Sequence, residues 1–298
     1  MDVATDTRQR VRPVDRARGV VKAAVVARGT DVTEASATQS CLVVAPHPDD
    51  ETLGCGVTIM RKLEAGTPVR VVIATDGRRS SSSRVVSPTQ LVEIRRAEVL
   101  EAADRLGLDR RDVVFLDFED QRLEGQLAAL SQRLGALVEE FRPDELLVAS
   151  VLDRHADHHA VGQAARRLLS AGGLGCRVAE YPMGFWRTMP WRSRPRGVHR
   201  VAGSFLRGAA TIAHLRPELV RTEGYLERKR HVLDAYASQL TNLTGEAEWW
   251  TLDGPFLAQF LGRHEVFLPV TPWSGGSAPP ARPSGRGARS SRPGTPAS

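Results

Sequence analysis

The 298-residue chain has only three cysteines, Cys41, Cys55 and Cys176, an odd number with no paired spacing. That argues against a disulfide framework and for a reducing compartment. No stretch approaches the roughly 20 apolar residues that a spanning helix needs. The apolar patch Gly19–Ala27 is short and broken by Lys22, and the Arg- and Asp-bearing start lacks the apolar region of a secretory signal. These absences predict a soluble, cytoplasmic protein with no membrane span. Net charge is also scarce where a core must form. The chain carries 41 Lys+Arg against 35 Asp+Glu, but residues 41–273 hold 30 of each, and the excess lies in the ends. A net charge of +6 can mark a nucleic-acid binder. With a neutral body, no specific nucleic-acid partner is expected.

Composition divides the chain into three parts. Residues 1–40 mix Arg, Thr, Asp and Ser without sustained periodicity, which predicts a flexible N-terminal extension with at most one short helix. Residues 274–298 consist of Gly, Pro, Ser, Ala, Thr and Arg alone. Such a segment cannot bury enough apolar area to offset its ordering entropy, so a disordered tail is expected. Between them, residues 41–273 form the predicted folded domain. There, short apolar runs (Cys41–Ala45, Val69–Thr75, Val113–Leu116, Glu145–Ser150, Arg177–Tyr181) alternate with helical stretches: Gly54–Gly66, Thr89–Leu106, Leu123–Phe141 and Ala160–Ser170. That alternation predicts an α/β fold, a Rossmann-like three-layer sandwich with a mostly parallel sheet covered on both sides. After Pro182 the pattern loosens into a loop-rich C-terminal cap or an edge extension of the same domain, with a last helix over Thr222–Ala237.

Reactive side chains concentrate in two segments at predicted strand ends. His47-Pro48-Asp49-Asp50-Glu51 follows the first strand, and His155-Ala156-Asp157-His158-His159 follows the fourth. In a doubly wound sheet of order 3-2-1-4-5, strands 1 and 4 are neighbours at the topological switch point. Ligands bind there, outside the carboxyl ends of the strands, so the two segments should meet. Taken singly, Asp-Asp-Glu would serve equally well as a helix cap, and the histidines as solvated loop residues. Taken together, two imidazoles and a carboxylate suit a divalent metal with open positions. A water bound to such a metal becomes a nucleophile near neutral pH, which makes hydrolysis the natural reaction class. Gly54-Cys55-Gly56 lacks the third glycine of a dinucleotide fingerprint, because Ile59 stands there.

These residues carry a family resemblance. Ala45-Pro46-His47-Pro48-Asp49-Asp50-Glu51 resembles the first motif of the PIG-L/LmbE-like deacetylases, with Pro46 interposed between the alanine and the histidine. His155-Ala156-Asp157-His158 with Val161 resembles the second motif. Thr75-Asp76-Gly77, Arg95-Arg96-Ala97-Glu98, Asp120, and Lys229 with Ser238-Gln239 also look like family features. The resemblance spans roughly residues 41–270. It implies that His47, Asp50 and His158 bind zinc and that Asp49 is the general base. It also implies that His155 stabilises the oxyanion and protonates the leaving amine, while Asp157 holds His155 and favours its charged form. Arg95 becomes a candidate substrate contact, although an amphipathic helix would equally carry an arginine at the surface. Some members place a tyrosine two residues before the first histidine of the second motif; Asp153 stands there in this chain.

The resemblance further implies a zinc-dependent N-deacetylase acting on a small-molecule N-acetylglucosamine-type sugar conjugate. Iron(II) is the alternative metal, because two histidines and a carboxylate suit it too. A different N-acyl small molecule (an antibiotic, thiol or lipid conjugate) is the alternative substrate. A basic nucleic-acid-interacting protein using its Arg-rich ends is the reading from another class. Aromatic residues of Tyr181–Trp191 would either wall a sugar site or pack within the cap.

Overall fold

A computed structural model describes residues 13–189 and 208–271. The chain enters through α1 (Pro13–Val26), β1 (Thr30–Asp31) and α2 (Thr33–Ala37). It continues with β2 (Cys41–Ala45), α3 (Asp50–Glu64), β3 (Val69–Thr75), α4 (Pro88–Leu106) and β4 (Val113–Phe118). Then follow a 3-10 turn at Leu123–Gln126, α5 (Leu127–Phe141), β5 (Glu145–Ala149), α6 (Ala156–Ser170) and β6 (Arg177–Tyr181). The last part holds α7 (Phe185–Thr188), a helix α8 reaching through 208–214, and β7 (Glu218–Arg221). It closes with α9 (Leu226–Leu233), α10 (Ala237–Leu240), α11 (Gly254–Leu257) and β8 (His264–Pro269).

The sheet order is β1-β7-β8-β6-β5-β2-β3-β4, with β4 through β2 to β6 parallel and β8 antiparallel to both β6 and β7. In the parallel part the first and fourth strands of the expected series, β2 and β5, lie side by side. Both are buried along their whole length, as continuous apolar runs require when helices cover both faces. One apolar layer lies between the sheet and α3, α4 and α9. The other lies between the sheet and α5 and α6. The chain is thus the predicted α/β sandwich, and β7 and β8 make the C-terminal part an extension of the sheet edge. No helix among the described residues is long and apolar enough to cross a membrane.

Residues 13–40 depart from the expected flexible extension. β1 pairs with β7, and the buried Lys62 ammonium donates to the carbonyls of Ser36 (2.5 Å) and Gln39 (2.8 Å). On α1, Val25 is buried against Phe185, Trp186 and Met189. Long-range pairing supplies the order that local periodicity did not signal. The predicted tail, 274–298, lies outside the described residues.

Candidate active site

β2 ends at Ala45 and releases His47-Pro48-Asp49 at the carboxyl edge of the sheet, directly before α3. Asp49 occupies the N-cap position but makes no side-chain cap bond, so the simple capping role is not what its carboxyl does. Its φ of 110° lies in the left-handed region, rare for a residue with a Cβ. Strain of this kind persists only when the surroundings enforce it. Here the Asp49 amide donates to Glu51 Oε2 (3.2 Å), and Gln239 Nε2 donates to the Pro48 carbonyl. β5 ends at Ala149, and the turn after it delivers Asp153 and His155, which is the N-cap of α6. The two segments, remote in sequence, meet as the strand order requires.

At their meeting point three donor atoms form a nearly equilateral triangle. His47 Nδ1 lies 3.2 Å from Asp50 Oδ2, His158 Nε2 lies 3.3 Å from the same oxygen, and the two ring nitrogens are 3.2 Å apart. A tetrahedral centre with bonds of about 2.0–2.1 Å sets its ligand atoms about 3.3 Å from one another. The donor set of two imidazoles and a carboxylate therefore fits a divalent ion in both chemistry and spacing. A wider group around His47 also has metal-ligand character, with His155 and His158 on one side and Asp120 and Asp157 on the other. The triangle is the tighter grouping, with all three edges between 3.2 and 3.3 Å.

Electrostatics agree that the pocket calls for positive charge. Burial would lower the pKa of His47, but Asp120, Asp157 and Asp50 hold it well above its ordinary value. For His158 burial likewise works downward, and Asp50 with Asp153 outweighs it, pushing the pKa up to about 9. Burial would raise Asp50, yet the two imidazoles hold its carboxyl far below the usual range. Asp49 goes the other way: burial and then the neighbouring Asp50 charge raise it well above a usual carboxylate. Two adjacent acids thus have divergent environments.

His155 and Asp157 differ from expectation. The Asp157 carboxylate lies 3.2 Å from His47 Nε2 and accepts from the amides of Gln121 (2.7 Å) and Leu123 (3.1 Å). Toward His155 it offers only its backbone N–H, which donates to Nδ1 (3.3 Å). The expected Asp157–His155 carboxylate pair is therefore not formed. Burial and the neighbouring His47 and His158 push the His155 pKa down to about 4, opposite to the expected favouring of its charged form. With Nδ1 accepting, the neutral ring carries its proton on Nε2.

A cavity of about 440 Å³ opens over this cluster. Arg95, on α4, lines it and is 1% exposed, so it is no surface arginine. Its Nη2 donates to Ser80 Oγ (2.8 Å), while Nε and Nη1 have no partner among the described residues. Asp120 enters the site 3.3 Å from His47 Nε2. The apolar wall holds Met183, Trp250, Leu252 and Phe256. Trp186 and Tyr181 do not reach the site: Trp186 packs in the cap, and the buried Tyr181 donates its hydroxyl proton to the Val44 carbonyl. Trp191 lies outside the described residues. His159 is half-buried on α6 and does not line the cavity. Reading the sequence missed the roles of Asp153, Trp250 and Phe256, because nothing local marks which loop folds back over a strand end.

Comparison with known proteins adds to this geometry. Residues 42–169 match the family model described as PIG-L, GlcNAc-PI de-N-acetylase. A probable N-acetyl-alpha-D-glucosaminyl L-malate deacetylase 2 of Bacillus cereus is 31% identical over 134 residues, which are 43% of this chain and 60% of that protein. The protein of the same description from Bacillus anthracis is 28% identical over 223 residues, 72% of this chain and 87% of its own length. The chain thus spans about 60% of the first relative and most of the second. Among solved structures, the N,N'-diacetylchitobiose deacetylase of Pyrococcus horikoshii superposes with a TM-score of 0.57 at 20% identity. The match covers 88% of this chain and 97% of that one, a likeness of fold. The family match contains both chemistry-bearing segments with the strands that present them, and over these residues the chain is similar to the PIG-L/LmbE-like N-acetylglucosaminyl deacetylases.

Proposed function

We propose that this chain is a zinc-dependent N-deacetylase that hydrolyses the acetamide of a small N-acetylglucosamine-type conjugate. The observation that carries the reading is the triangle of His47 Nδ1, Asp50 Oδ2 and His158 Nε2, each edge 3.2–3.3 Å, facing the cavity. A divalent ion held by these three would supply Lewis acidity, lowering the pKa of a bound water toward about 7 and polarising the amide carbonyl. Asp49, protonation-prone in its buried setting beside Asp50, takes the proton that the attacking water gives up. His155, with its proton on Nε2, donates toward the carbonyl oxygen as negative charge develops there. The water oxygen bonds to the acetyl carbon, the C–N bond breaks, and the amine leaves with the proton that Asp49 took from the water. Asp157 orients His47, and Arg95 lines the cavity beside them as a candidate substrate contact. The sugar and the acetyl group are taken from the names of the relatives.

Elemental analysis of purified wild type and His158→Ala, paired with an acetate-release assay on a panel of N-acetylated sugar conjugates, tests the proposal. About one zinc per wild-type chain, lost in His158→Ala, is the expected result. Asp49→Ala should keep the metal and lose about 10²–10⁴-fold in turnover. A wild type that takes up no metal when zinc is supplied, or an Asp49→Ala variant of full activity, would sink it.

A further inference from the structure

Asp153 joins the candidate metal tripod to the wall of the cavity. It stands in the turn between β5 and α6 and is 5% exposed. Its Oδ1 accepts from the Phe185 amide (2.8 Å). Its Oδ2 accepts from the Met183 amide (3.0 Å) and lies 3.0 Å from His158 Nδ1. Both amide donors belong to the segment after β6, where Met183 and Gly184 line the cavity and Phe185 packs with Trp186 and Met189. With both oxygens already accepting from amides, the group that Asp153 turns to His158 is a lone pair. Such a partner puts the imidazole proton on Nδ1 and leaves the Nε2 lone pair facing Asp50 and His47. The same bonds fix the rotation of the ring, because Nδ1 and Nε2 are both committed.

We infer that Asp153 is the positioning residue of this site: it selects the ligating tautomer of His158 and ties that histidine to the 183–185 wall. The inference rests on the metal reading given above. It accounts for a departure from the family pattern, since the position that holds a tyrosine in some members here turns a carboxylate inward against His158. An amide cannot take this role. Whichever way the side-chain amide of an Asp153→Asn variant turned, its NH₂ would meet an N–H donor, either Phe185 on one side or Met183 and His158 on the other.

The test is chelator-competition measurement of zinc affinity on the full chain for wild type, Asp153→Asn and Trp186→Ala, with thermal melting of each metal-free protein. Asp153→Asn should weaken zinc binding by about 10–100-fold. Trp186→Ala, which loosens the same segment from its packed side, should lower the melting temperature yet leave zinc affinity within twofold. Asp153→Asn binding zinc within twofold of wild type overturns the inference, and so does equal weakening in Trp186→Ala. A wild type that binds no zinc is the separate failure of the metal reading. If Asp153→Asn does not fold, ¹⁵N NMR of the zinc-loaded wild type decides: the proton of the His158 ring is expected on Nδ1, and an unprotonated Nδ1 overturns the assignment.

Discussion

Asp49 and Asp50 are adjacent and chemically unlike. Both are buried, but Asp50 faces two imidazoles that stabilise its charge, whereas Asp49 faces the charge of Asp50 itself. Environments that push two acids apart suit the proposed roles, Asp50 as ligand and Asp49 as proton acceptor. Burial acts just as clearly on a residue outside the site. Cys41, in the centre of the sheet, has its thiol pushed up to about 12 by desolvation, from an ordinary 9.0. The folded state then keeps a proton that the unfolded chain releases above pH 9, so stability falls as pH rises from 9 toward 12. Cys176 acts with the same sign, at about 11. Lys22, lowered to about 8 by burial, acts with the opposite sign between pH 8 and 10.5. Comparing wild type with Cys41→Ala cancels the other contributions. Urea unfolding at pH 8, 9, 10 and 11 should show the wild-type advantage shrinking by up to about 1.4 kcal/mol per pH unit above 9. Parallel pH profiles would mean that the Cys41 thiol titrates normally.

Helix α3 shows how an element is fitted to its neighbours. A Cβ on Gly54 would come 2.4 Å from the Tyr181 ring, whose hydroxyl is already bound to β2. Helix α3, which carries Asp50, approaches β6 this closely only because residue 54 has no side chain. Gly54→Ala should destabilise the fold by about 1–3 kcal/mol, the usual cost of overpacking, and should weaken metal binding as α3 shifts outward. Denaturant unfolding and zinc titration check both, and an unchanged stability would show that Tyr181 can give way. This packing was not legible in the Gly-Cys-Gly spacing, which only failed a dinucleotide pattern. What was legible follows from physics that is local. Cys41–Ala45, Val69–Thr75 and Arg177–Tyr181 are strands at the expected bounds, because short runs rich in Val, Ile and Ala suit a sheet covered on both faces. β7 and β8 escaped notice because they are short and stabilised by antiparallel partners remote in sequence. The expected last helix, Thr222–Ala237, is instead α9 and α10 separated by a break, and α3 begins earlier than expected, at Asp50. The clustering of His47, Asp50 and His158 was legible because it coincided with strand ends. The Asp157–His155 pairing was expected and is absent, since the sequence does not say which imidazole a carboxylate will face.

At the scale of the whole molecule, the boundary at residue 41 is where sequence and structure part most. Composition made residues 1–40 look separable, yet the buried charge at the amino end of the sheet depends on them. The Lys62 ammonium is 0% exposed and has three oxygen partners: the Ser36 and Gln39 carbonyls and Glu145 Oε2. Ser36 Oγ also donates to that Glu145 oxygen (2.9 Å), and Thr67 Oγ1 donates to the Ala37 carbonyl (2.7 Å). Removing residues 1–39 takes away two of the three Lys62 partners and the β1 strand that covers β7. Stripping partners from a buried charge costs about 3–5 kcal/mol, and in a domain of this size each kcal/mol lowers the melting temperature by about 2–4 °C. A chain beginning at residue 40 should therefore melt roughly 6–20 °C below the full chain. Removing only residues 1–12 keeps every one of these bonds and should shift the melting temperature little. Differential scanning calorimetry of the three chains tests the point. If the chain beginning at residue 40 melted within about 2 °C of the full chain, less than a single kcal/mol would move it, Lys62 and Glu145 would form a self-sufficient pair and the first forty residues would be dispensable to the fold.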